Sequence, residues 1–98
     1  MADSKSLDVN GLEEIANRVR PLEAIKPPPQ GWLRAVRKTL DLSAREVAET
    51  LGISTQLIYD FEEREAAGTL TLANLRKAAK GMNCEVVYFV VPKSDAAQ

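Results

Sequence analysis

From residue 33 onward the apolar positions fall in three short sets at helical spacing. Leu33, Val36 and Leu40 make the first, Val47, Ala48 and Leu51 follow Ser43, and Ile58 and Phe61 follow Ser54. Each serine precedes its set where an N-cap belongs, its hydroxyl able to accept an orphan backbone N–H of the next helix. The pattern therefore predicts helices over about 32–40, 44–51 and 55–65. Between the last two lies Leu51-Gly52-Ile53-Ser54, in which Gly52 supplies the positive φ of a tight turn and Ile53 returns to the core. Ala48 is small enough to let the two helices cross closely.

The flanking segments follow the same logic. Leu7 to Lys26 reads as an amphipathic helix with Leu12, Ile15, Ala16 and Val19 on one face. At Pro21 it either stops, with a second turn around Leu22 to Ile25, or continues with a kink. A dimer arm, a docking helix and a cover for the domain's own core all fit it. Lys26-Pro27-Pro28-Pro29-Gln30 is a stiff extended spacer. Thr71 caps a helix over about 72–81 with Leu72, Leu75 and Ala79 inward and Gly81 at its end. Residues 84–91, β-branched and aromatic and stopped by Pro92, predict a strand with two apolar faces. With no second strand in the chain, the economical partner is a second copy, pairing antiparallel about a two-fold axis through Val86, Val87, Tyr88 and Phe89. The expected organisation is an arm and spacer at 1–30, a helical domain at 31–83 and a strand with its tail at 84–98.

Composition narrows the chemistry. An apolar fraction of 45% and a charged fraction of 28% over 98 residues suit one small folded domain with arms. With one cysteine, Cys84, and no histidine, the chain offers no internal disulfide, no Cys/His zinc site and no Ser-His or Cys-His nucleophile pair. Neither enzyme activity nor a cofactor nor a metal is expected. The glycines stand singly, so there is no phosphate-cradling loop, and Glu46, Glu49, Glu62, Glu63 and Glu65 read as solvated helix faces. No run reaches the ~18 apolar residues of a membrane span, and Met1-Ala2-Asp3-Ser4-Lys5 leads into no apolar signal core, so a cytoplasmic protein is expected.

The net charge of −1 is unevenly spread: residues 31–66 hold five basic and seven acidic side chains, residues 67–98 four basic and two acidic. Arg34, Arg37 and Lys38 on the outer side of the first helix suit DNA phosphates, although Arg37 also suits a carboxylate on a neighbouring helix.

Leu42-Ser43, Ala48, Gly52-Ile53-Ser54, Ile58 and Phe61-Glu62 together resemble the phage-repressor-like helix-turn-helix family of XRE or Cro type. The resemblance implies a mainly α fold, a phage-repressor-like helix-turn-helix domain between an N-terminal helical arm and a C-terminal dimerisation strand. By resemblance, Thr55, Gln56 and Tyr59 enter the major groove, with Gln56 suited to a bidentate pair with adenine, and Ser54 joins Arg34, Arg37 and Lys38 at the phosphates. The same outward face carries Asp60 and Glu63, which phosphates repel, and Leu57 beside it suits a protein surface better than a groove. From about Val19 to Lys93 the chain is also similar to the family of small bacterial proteins called mobile mystery protein A, whose genes typically lie beside a Fic-domain partner. That similarity implies a homodimeric, autorepressing, antitoxin-like regulator of double-stranded DNA. Its alternative is a protein-binding adaptor that neutralises a Fic-type toxin-like enzyme.

Overall fold

The computed structural model describes residues 7–93, which fall into two compact units. Residues from Pro27 to Val87 form one; the described residues up to Lys26 and from Tyr88 onward belong to the other.

In the latter, α1 spans Val9–Val19, opened by the Asp8 carboxylate accepting the Gly11 N–H at 2.7 Å. The sequence left two courses at Pro21, and the chain takes the first. Helix α1 ends at Val19, and a 3₁₀ helix, Arg20–Ala24, holds Pro21 in its first turn, where a missing N–H needs no partner. Ala16 is buried, whereas Leu7, Val9, Leu22 and Ile25 are exposed.

The larger unit comprises α2 (Trp32–Thr39), α3 (Ala44–Leu51), α4 (Thr55–Ala67) and α5 (Leu72–Gly81). Their apolar faces converge on Leu33, Ala44, Val47, Ala48, Ile58, Phe61, Ala78 and Met82, with Val36, Leu51, Ile53, Leu57 and Leu75 packed around them. Leu57, expected beside the reading face, is thus half-buried core, while Leu72, expected inward, is exposed.

The helix ends follow from side-chain chemistry. Ser43 makes a capping box, its Oγ accepting the Glu46 N–H at 3.0 Å while Glu46 Oε1 accepts the Ser43 N–H at 2.7 Å. Ser54 and Thr71 cap α4 and α5 through the N–H groups of Leu57 and Asn74. Gly52 closes α3 in the left-handed region at φ 70°, as expected of the turn. Gly81, by contrast, does not end α5 by its backbone: Asn83 takes the left-handed conformation at φ 60°, and the Cys84 N–H reaches back to the Ala79 carbonyl at 2.9 Å. What Gly81 contributes is space, for a Cβ there would lie 2.8 Å from Leu51 and 2.9 Å from Val47 on α3.

The expected C-terminal dimerisation strand is absent. Residues 84–91 carry no strand, and none occurs among the described residues. β-branched content favours extended backbone, but a strand exists only through ladder bonds to a neighbour, and the described residues supply none. Cys84 and Val86 are half-buried while Glu85 and Val87 are exposed, so the segment keeps an alternating extended habit without a ladder.

Candidate nucleic-acid interface

Helices α3 and α4, joined by the three-residue turn Gly52 to Ser54, set the geometry of the site. Ala48 is buried at the crossing, and the Ile53 N–H bonds to its carbonyl at 3.0 Å, which fixes the angle at which α4 leaves the turn. The start of α4 presents Ser54, Thr55 and Gln56, with Tyr59 one turn on. Gln56 and Tyr59 are exposed and Thr55 is half-buried. Ser54 Oγ accepts the Leu57 N–H at 3.1 Å and keeps its own proton to donate. The positive end of the α4 dipole lies here too, where an anion is favoured.

Arg34 and Lys38 are exposed and one turn apart on α2. Arg34 lines a notch of about 190 Å³ together with Gln30, Glu62, Glu63 and Ala66, which brings it beside the outer face of α4.

Arg37, grouped with them by the sequence, is a correction. It is 6% exposed and donates from Nε to Glu62 Oε2 at 2.6 Å, from its second terminal nitrogen to Glu62 Oε1 at 3.2 Å, and from the first to the Leu42 carbonyl at 3.1 Å. A guanidinium so enclosed, with three of its five N–H groups committed, is out of a phosphate's reach. The bond to Glu62 raises its pKa above the ordinary guanidinium range, against the opposing effect of burial. Its guanidinium carbon also lies 5.9 Å from the centre of the Tyr59 ring, within range of a cation–π contact. Arg37 thus joins α2 to α4 and backs Tyr59 from beneath.

Helix α4 looked acidic, and three of its four carboxylates turn out to have partners within the protein. Glu62 holds Arg37. Glu65 reaches across to the start of α2, accepting the Leu33 N–H at 2.9 Å. That contact needs Gly31, whose φ of 91° suits only glycine and where a Cβ would stand 2.5 Å from Glu65 Oε1. Asp60 is paired with Arg64 at 3.0 Å. Among the α4 carboxylates Glu63 alone has no partner among the described residues. Pairing of Arg37 with a carboxylate stood among the alternatives that the sequence left open, the Asp60–Arg64 pair was legible from its i,i+4 spacing and the capping box from Ser43-x-x-Glu46, whereas the reach of Glu65 to Leu33 has no local signature.

Of the residues expected at a dimer contact, Val87, Tyr88 and Phe89 are exposed and Val86 is half-buried. No group of three or more His, Cys, Asp or Glu able to hold a metal occurs among the described residues, and none of their helices is long and apolar enough to cross a membrane.

A family described as helix-turn-helix matches residues 33–89, more than half of the chain. Neither a curated protein nor a solved structure gives a match.

Proposed function

Since the chain belongs to the XRE-type helix-turn-helix family, a DNA-binding regulator in type, we propose that it is a sequence-specific repressor that reads the major groove with Thr55, Gln56 and Tyr59. Arg34, Lys38 and the hydroxyl of Ser54 grip the phosphates on either side. The observation that carries this reading is the internal use of the acidic side chains: with Asp60, Glu62 and Glu65 each engaged, Gln56 and Tyr59 stand on an exposed face that only Glu63 opposes with an unpaired charge. Gln56 can satisfy adenine N6 and N7 together, and Tyr59, backed by Arg37, is a rigid partner for a base edge or a phosphate.

The regulator acts as a homodimer through half-buried Val86 and exposed Val87, Tyr88 and Phe89, and it represses its own operon as the antitoxin-like member of a two-gene module. A two-fold dimer calls for an inverted repeat whose half-sites lie one or two helical turns apart, ~34 Å per turn. Selection from a pool of randomised duplexes tests this. The expected product is an inverted repeat bound by a dimer; enrichment of no sequence would refute it.

A second reading, an adaptor that neutralises a Fic-type enzyme, draws on exposed Leu7, Val9, Leu22 and Ile25, a set of apolar side chains suited to a protein partner. Removing residues 1–26 should abolish that complex, and equal binding by the shortened chain would dismiss it.

A further inference from the structure

Three i,i+4 ion pairs lie on the helix surfaces among the described residues, and they are not alike. In Arg18–Glu14 and Arg45–Glu49 both side chains are at least 66% exposed, with contacts of 3.2 and 3.3 Å. In Arg64–Asp60 the exposures fall to 59% and 39%, and Arg64 Nε lies 3.0 Å from Asp60 Oδ2. This pair, the shortest of the three although, unlike the other two, it is an ion contact and not an aligned hydrogen bond, sits on α4, one turn beyond the exposed Gln56.

The position of the guanidinium is the important point. The Arg64 Cα lies about 12 Å along α4 from that of Gln56, but helical side chains lean toward the N-terminus, and the ion pair holds the charged head near Asp60, about 6 Å from Gln56. The head therefore stands level with the middle of the reading helix. Asp60 occupies its Nε side, and the two terminal nitrogens have no partner among the described residues. Their parallel N–H groups match the two acceptors O6 and N7 of guanine.

A phosphate also accepts such a fork, but the neighbouring carboxylate decides against it. Asp60 repels a phosphate, whereas beside a guanine it meets the N4 amino group of the paired cytosine, a donor. An arginine and a carboxylate side by side thus complement the acceptor, acceptor, donor edge of one whole G·C pair. We propose that Arg64 reads a guanine in the major groove and that Asp60 both holds its guanidinium and accepts from the paired cytosine. The inference rests on the DNA-reading role proposed above and adds two specificity residues to it.

The test uses the full chain and the duplex that the wild-type protein enriches from a randomised pool, with every single base-pair change of that duplex measured by fluorescence anisotropy. Wild-type protein should show a G·C position where change to A·T weakens binding roughly 5- to 100-fold. Arg64→Ala should bind G·C and A·T alike there, whereas Arg64→Lys should keep part of the preference, since an ammonium also donates to guanine O6 and N7 but lacks the rigid fork. Asp60→Ala should reduce the preference at that position while binding a scrambled duplex more tightly, which loss of helix stability would not produce. If Arg64→Ala weakened enriched and scrambled duplexes by one factor, Arg64 would be a phosphate contact and the proposal overturned. An unchanged panel would overturn it too, with DNA reading intact. Should the wild-type protein enrich no sequence, both fall.

Discussion

Arg37 and Glu62 show how a single residue pair can support the site without touching DNA. Both side chains are almost fully buried, at 8% and 5% exposure, and each satisfies the other through two bonds. Removing one partner leaves an uncompensated charge, so Arg37→Ala should cost about 3–5 kcal/mol in urea denaturation, while Arg37→Met with Glu62→Leu should recover most of that. An Arg37→Ala protein of wild-type stability would show the pair to be dispensable. Because the Arg37 pKa is raised, the stability linked to it is complete below the ordinary guanidinium range and lost only as pH climbs beyond it. Glu63, exposed and unpaired on the same helix, acts in the opposite direction. Glu63→Gln should tighten binding to scrambled and selected duplexes alike, as read by anisotropy at low salt; weaker binding would mean that the carboxylate accepts from a base.

At the scale of elements, the helices meet through two contacts that size and reach decide. Gly81→Ala ought to help an isolated helix by about 1 kcal/mol, but its Cβ would intrude on Leu51 and Val47 of α3. Crowding outweighs propensity here, so the urea midpoint should fall by the equivalent of about 1 kcal/mol or more with the slope unchanged. Glu65→Ala removes the acceptor at the start of α2 and should lower stability by about 0.5–2 kcal/mol, with Glu65→Gln retaining most of it, as thermal unfolding would reveal. These contacts also mark the limit of what the sequence discloses. Ser43, Ser54, Thr71 and Gly52 set local geometry, and the helices they bound were legible from spacing alone. Arg37 was legible only as one of two alternatives, phosphate or a neighbouring carboxylate, because position on α2 distinguishes outward from inward poorly when the partner lies 25 residues away. Residues 84–91 misled for the complementary reason: composition reports a preference for extended backbone, while a strand requires a neighbour that no sequence pattern supplies. The reading face lay between these cases, its positions legible and the pairing of its charges hidden.

For the whole molecule, the issue is whether a chain of net charge −1 can bind DNA selectively. Few phosphate contacts mean weak non-specific affinity, so discrimination must come from the bases. Pairing of Glu62 and Glu65 within the domain and of Asp60 with Arg64 on the surface of α4 leaves Arg34 and Lys38 to hold the backbone and α4 to read. The most direct test is fluorescence anisotropy on the selected duplex and its scrambled counterpart at two salt concentrations, with wild-type protein and Gln56→Ala. The account predicts a wild-type preference of ~10³-fold or more for the selected duplex, binding to both duplexes that weakens with salt, and a preference reduced roughly 5- to 100-fold by Gln56→Ala. Equal, feeble binding of the wild-type protein to both duplexes would contradict it.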